Sequence, residues 1–177
     1  MNILYVHGYA SGVKSSDPKY TALSKLGTVL AIAPDYDNGS SHVLSEVLEF
    51  SIKNDIDLIV GTSMGGWVAP HISNTLGIPF VALNPSIHPS INLKKYGGDT
   101  EIIDSYPDIS KSGFGLVSVE MGDEVIDPKY TIDYFSDVYN VIPFDGGSHR
   151  FSNLDNLIDK IKSMYKRIEL VSGFDAN

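Results

Sequence analysis

Short apolar runs alternate along this chain with longer segments whose apolar residues recur every three or four positions. Ile3 to Val6 is a run of the first kind and predicts a buried strand. Asp17-Pro18 then marks a helix start, with Asp as N-cap and Pro at the first helical position. Tyr20, Leu23 and Leu26 follow at helical spacing, and Gly27 closes the segment. Thr28 to Ala33 predicts a second strand, stopped by Pro34-Asp35. Ser40 to Lys53 predicts a helix with Val43, Leu44, Val47 and Leu48 on one face. Asp57 to Gly61 is the third strand, and a helix carrying Val68, Ala69, Ile72 and Leu76 runs from there to Gly77. Ile78 to Leu83 is the fourth strand, cut by Asn84-Pro85. Leu116 to Met121 and Val138 to Ile142 are the last two strands, with a short helix from Pro128 to Phe135 between them. Phe151, Leu154, Leu157, Ile158, Ile161 and Tyr165 form the apolar stripe of a closing helix. Strands this apolar, alternating with helices, predict an α/β fold whose mostly parallel sheet is covered on both faces.

One stretch breaks the rhythm. Residues 85–115 are rich in Gly, Pro, Ser and Asp and show no clear period. A long irregular segment in a compact domain is often a lid or a substrate-binding insertion. Tyr96 and Tyr106 are its candidate substrate contacts. At 177 residues, the chain is expected to form one domain over 1–177. Thirteen basic and 22 acidic residues give a net charge of −9, without the basic face that a nucleic-acid binder needs. No apolar stretch reaches the length of a membrane span, and no signal peptide is recognisable at the first residues. The absence of cysteine excludes disulfides and thiolate metal sites and fits a cytoplasmic enzyme. No histidines show metal-ligand spacing, so neither metal nor cofactor is expected.

The chemistry concentrates at Gly61-Thr62-Ser63-Met64-Gly65. Strand, G-x-S-x-G, helix is the pattern of a nucleophile elbow, which projects a serine hydroxyl from a tight turn at the end of a strand. A serine hydroxyl is a weak nucleophile at neutral pH and needs a base, which in turn needs an orienting acid. Of the five histidines, His149 lies in Gly146-Gly147-Ser148-His149, between the last strand and the last helix. A glycine-rich loop there can bring an imidazole to the sheet edge that carries Ser63. After the fifth strand, Gly122-Asp123-Glu124-Val125-Ile126-Asp127 offers three carboxylates. Asp123 is the favoured acid, with Asp127 and Glu124 as alternatives, and Asp127 before Pro128 also reads as a helix cap. The order Ser63, Asp123, His149 is that of α/β-hydrolases. An oxyanion hole needs backbone N–H donors: Met64, which follows the nucleophile, and Tyr9 in the loop His7-Gly8-Tyr9 after the first strand. His7, His42 and His71 read as structural or surface residues, and Trp67 as core.

These blocks resemble the α/β-hydrolase superfamily. Within it, the chain is similar to the small bacterial esterase family UPF0227, the YqiA-like esterases. The residues that carry the likeness are Leu4-Tyr5-Val6-His7-Gly8-Tyr9, Val60 to Trp67, Asn84-Pro85-Ser86, Met121 to Asp127 and Gly146 to Phe151. The resemblance implies a minimal hydrolase sheet of six strands, without the two leading strands of larger relatives. It also implies hydrolysis of carboxylic esters, with acyl thioesters as a further substrate class, through Ser63, Asp123 and His149. The family often has an arginine where His88 stands. Two other readings stay open on sequence alone: a peptidase or amidase on the same fold, and a non-catalytic hydrolase-like binding protein. The small-molecule substrate and the oligomeric state are not specified by the sequence.

Overall fold

The computed structural model describes residues 1–174. Six strands form one sheet: β1 (Asn2–Val6), β2 (Thr28–Ile32), β3 (Leu58–Thr62), β4 (Pro79–Leu83), β5 (Phe114–Glu120) and β6 (Asn140–Phe144). Their order across the sheet is β2-β1-β3-β4-β5-β6, and every neighbouring pair is parallel. The helices between them are α1 (Pro18–Leu23), α2 (Ser40–Lys53), α3 (Met64–Leu76), α4 (Pro89–Lys94), α5 (Thr100–Asp104), α6 (Pro128–Phe135) and α7 (Leu154–Phe174). A short 3-10 turn covers Tyr36–Asn38.

The continuous apolar runs follow from burial on both sheet faces. Successive side chains of a strand point to opposite faces. Leu4 and Val6 of β1, with Ile59, Phe80, Ala82, Val117 and Val119, pack against residues of α2, α3 and α6. Ile3 and Tyr5, with Leu58, Val60, Val81, Leu83 and Leu116, pack against Ala22 and Leu23 of α1 and Leu157, Ile158 and Ile161 of α7. Each fully buried aliphatic side chain contributes about 1.5–3 kcal/mol. None of the described helices is long and apolar enough to cross a membrane.

The structure differs from the expected pattern in several places: β5 begins at Phe114, two residues before Leu116, and α7 begins at Leu154, so Phe151, with φ +60°, precedes the helix whose stripe it was expected to join. Residues 85–115 are not wholly irregular: they carry α4 and α5, six and five residues long. Helices that short do not complete enough turns to show a period. The last strand starts two residues later than expected. Val138 and Tyr139 still donate their N–H groups to Phe135 O, at 2.9 Å each, and so close α6 before β6 can begin.

Candidate active site

Ser63 stands between β3 and α3 with φ +56° and ψ −115°, outside the regions ordinary residues prefer. Such a backbone costs about 1–3 kcal/mol and persists only where its surroundings over-determine it. Here they do. The Ser63 N–H donates to Leu83 O at 3.0 Å, and its carbonyl accepts from Ser86 N at 3.0 Å and Trp67 N at 3.1 Å. The flanking glycines are required by contact. A Cβ on Gly61 would overlap the Gly65 carbonyl, and one on Gly65 would overlap the Val6 carbonyl. Helix α3 therefore lies directly on β1 and β3, and its N-terminus meets the serine.

The imidazole of His149 reaches this hydroxyl. Nε2 lies 3.0 Å from Ser63 Oγ, and Nδ1 lies 2.9 and 3.1 Å from the two carboxylate oxygens of Asp123. Asp123 Oδ1 also accepts the N–H groups of Val125 (2.8 Å) and Ile126 (2.9 Å), which fixes the carboxylate plane. The Asp123 side chain is 2 % exposed and that of His149 17 %, so the carboxylate is enclosed while the imidazole keeps partial access to solvent. The three carboxylates after β5 have separate tasks. Asp127 caps α6 through Lys129 N at 2.9 Å and Tyr130 N at 3.4 Å. Glu124 Oε2 accepts the backbone N–H of His149 at 3.0 Å, a bond that holds its carboxyl below the ordinary range.

The loop after β1 presses against Ser63. A Cβ on Gly8 would sit 3.1 Å from both Ser63 Cβ and Thr62 O, and 3.6 Å from Ser63 Oγ. Tyr36 fixes this loop from below, its hydroxyl donating to His7 O at 2.6 Å. His7 is buried with its Nδ1 3.3 Å from Ser11 Oγ, and burial pushes its pKa down. The N–H groups of Tyr9 and Met64 donate to no acceptor among the described residues. As the first residue of α3, Met64 has no intrahelical partner for its N–H.

A cavity of about 300 Å³ lies beside Tyr9. Tyr9, Tyr36, Leu93, Tyr96, Ile102 and Ile103 form its walls, and Asp37 and Asp99 add carboxylates. Tyr96 packs against Tyr9 with its ring tilted, 5.5 Å between centroids. Tyr106 is not among the lining residues. It is buried, packs edge-on against Trp67, and donates its hydroxyl to Tyr36 O at 2.7 Å. Trp67 is fully buried and donates Nε1–H to Pro107 O at 3.0 Å, tying α3 to the segment that carries α4 and α5. His88 bridges Asp108 and Tyr130, each at 2.7 Å. Among the described residues, no cluster of His, Asp or Glu could hold a metal ion.

Two residues to which sequence reasoning assigned no role at the site support it. Glu120, the last residue of β5, is fully buried. Burial opposes its ionisation, but hydrogen bonds from Ser148, Ser152 and Asn153 outweigh it and hold the carboxyl below its ordinary range. Asn84, with φ +43°, connects the end of β4 to the same region. The available signal was a charged residue ending an apolar strand, since a buried charge requires partners.

Known proteins give the arrangement a context. A protein of Vibrio cholerae serotype O1 described as a UPF0227 protein is 26% identical over 180 residues, covering 91% of this chain and 97% of that one. Among solved structures, Est1E from Butyrivibrio proteoclasticus superposes with a TM-score of 0.68 at 15% identity, covering 94% of this chain and 87% of that one. Mouse alpha/beta hydrolase domain-containing protein 10 superposes with a TM-score of 0.69 at 16% identity, covering 94% and 90%. The fold is that of the α/β-hydrolases. A family model described as "Uncharacterised protein family (UPF0227)" matches residues 2–166.

Proposed function

The chain belongs to the UPF0227 family, and on that premise we propose that it is a serine hydrolase of carboxylic esters, and of acyl thioesters as a further class, acting through Ser63, His149 and Asp123. The observation that carries the proposal is the unbroken relay from Ser63 Oγ to His149 Nε2 at 3.0 Å and from His149 Nδ1 to Asp123 at 2.9 Å. In this reading His149 takes the Ser63 proton as Ser63 attacks the carbonyl carbon. Asp123 holds the ring in the tautomer that leaves Nε2 free and stabilises the imidazolium. The N–H groups of Tyr9 and Met64 receive the oxyanion, and each such donor is worth about 3–4 kcal/mol in the transition state. His149 then protonates the departing alcohol or thiol, giving an acyl-enzyme. Water, deprotonated by the same imidazole, releases the acid and returns Ser63 to its free form.

The cavity beside Tyr9 suits an uncharged substrate group, because its walls are aromatic and aliphatic while Asp37 and Asp99 disfavour an anion. Est1E has been solved with ferulic acid bound, which makes aromatic acyl esters a natural part of the substrate panel. The decisive test is labelling by a fluorophosphonate probe with and without Ser63→Ala. Wild-type protein is expected to label and the variant not; equal labelling of both would remove the proposal. Asp123→Asn is expected to lower kcat by about 10⁴-fold through the wrong imidazole tautomer. Asp127→Asn, acting on a helix cap, is expected to leave kcat intact at a cost of about 1 kcal/mol or less in stability. The reverse result would move the acid to Asp127.

A further inference from the structure

The carboxylate of Glu120 divides its contacts between two neighbours. Oε1 accepts from Ser152 N at 2.6 Å, Asn153 N at 2.7 Å, Asn153 Nδ2 at 2.7 Å and Ser152 Oγ at 3.0 Å, all just ahead of α7. Oε2 accepts from Ser148 N at 2.6 Å, one residue before the imidazole. Gly147 is pressed so closely on this carboxylate that a Cβ there would overlap it, and its φ of +74° favours glycine independently. The carbonyls on the other side of the loop are also held. Asn84 Nδ2 donates to Ser148 O at 3.0 Å and His149 O at 3.2 Å, while Asn84 Oδ1 accepts Glu120 N–H at 2.9 Å. Lys19 Nζ donates to Arg150 O at 2.8 Å.

We infer that Glu120, with Asn84, is a positioning residue for the base: its Oε2 fixes the backbone at Ser148 so that the His149 ring spans Ser63 and Asp123. This rests on the serine-hydrolase reading above. The carboxylate bonds to the backbone and side chains flanking His149, not to the ring, so its effect runs through geometry. An imidazole that must meet two partners at once, 3.0 Å on one side and 2.9 Å on the other, tolerates little drift in its own main chain. Misplacement by about 1 Å can cost on the order of 100-fold in rate. Burying a charge at the end of β5 solves this, because an ionised carboxylate accepts from several donors at short range and holds them in fixed relation. The two oxygens also separate two duties: one holds Ser152 and Asn153, which lead into α7, and the other steadies the base.

That division makes the inference testable in the full-length protein. In Glu120→Gln, the amide oxygen can keep the bonds to Ser152 and Asn153 while the amide nitrogen faces the Ser148 N–H, donor against donor. Asn84→Asp keeps the acceptor for Glu120 N–H and sets an oxygen against the Ser148 and His149 carbonyls; aspartate tolerates the positive φ at this position. Activity would be measured with p-nitrophenyl acetate, alongside thermal unfolding and the rate of fluorophosphonate labelling. Each folded variant is expected to lose about 10- to 100-fold in kcat with KM within about twofold, and labelling is expected to slow in parallel. If one variant fails to fold, the other decides. A kcat per folded molecule within twofold of wild type would overturn the inference, whatever happens to Tm. So would failure of both variants to fold, since the pair would then serve the fold and not the base. A wild-type protein that does not label would instead defeat the serine-hydrolase reading itself, so the two failures are distinguishable.

Discussion

Glu120, His7 and His71 link the stability of this protein to pH in the same direction. The Glu120 carboxyl lies below its ordinary value of 4.5 because, against burial, its hydrogen bonds favour the anion. Below that ordinary value the unfolded chain binds a proton that the folded chain refuses. The stabilisation is thus complete above about 4.5 and is lost as pH falls through the lower folded pKa. Burial likewise pushes His7 and His71 below their ordinary 6.5, so acidification through that range protonates the unfolded state first. His71 packs against Trp67 with its ring tilted, 4.8 Å between centroids, and its Nε2 is buried without a hydrogen-bond partner among the described residues. His71→Phe is therefore expected to raise Tm more at pH 5 than at pH 8, read by thermal unfolding at both. An equal change at the two pH values would mean that the charging of His71 is not involved. Ser63, Asp123 and His149 were legible in the sequence because each sits in a block whose glycines and order announce a local geometry. Glu120 was not, because its partners lie 28 to 33 positions away and no local pattern marks a residue by what folds onto it.

At the scale of elements, the strands were readable because both faces of the sheet are covered, which leaves apolar runs with little interruption. Helices α4 and α5 were not readable, being held by tertiary contacts more than by pattern. Ile109 N–H donates to Ile87 O at 2.9 Å, and the Trp67 indole reaches Pro107 O at 3.0 Å. Trp67→Phe removes that donor and leaves a void, with an expected loss of about 2 kcal/mol in stability. Because this segment supplies Leu93, Ile102 and Ile103 to the cavity, KM is expected to rise several-fold while kcat changes little. A fall in kcat at constant KM would separate the segment from substrate binding. The elbow is stricter. Gly65→Ala drives a methyl into the Val6 carbonyl, where only backbone could yield. A loss of about 3 kcal/mol or more is expected, against little change for Gly12→Ala, whose Cβ meets nothing within 4 Å.

Across the whole molecule, the net charge of −9 and the carboxylates Asp37 and Asp99 at the cavity create a field that opposes anionic substrates. A neutral ester is expected to outcompete its carboxylate-bearing analogue in kcat/KM at low salt. Raising ionic strength from about 0.01 M to 1 M shortens the screening length from about 30 Å to about 3 Å, so the preference should narrow. A ratio indifferent to salt would assign the discrimination to close contacts alone. The three groups of the relay enter the chain at widely separated points: Ser63 after β3, Asp123 after β5 and His149 after β6, on a loop bound to the start of α7. During synthesis, then, Ser63 leaves the ribosome long before the His149 imidazole that lies against it in the fold. On the proposed serine-hydrolase reading, a nascent chain interrupted anywhere before that loop would carry the Ser63 hydroxyl without the imidazole that is proposed to activate it.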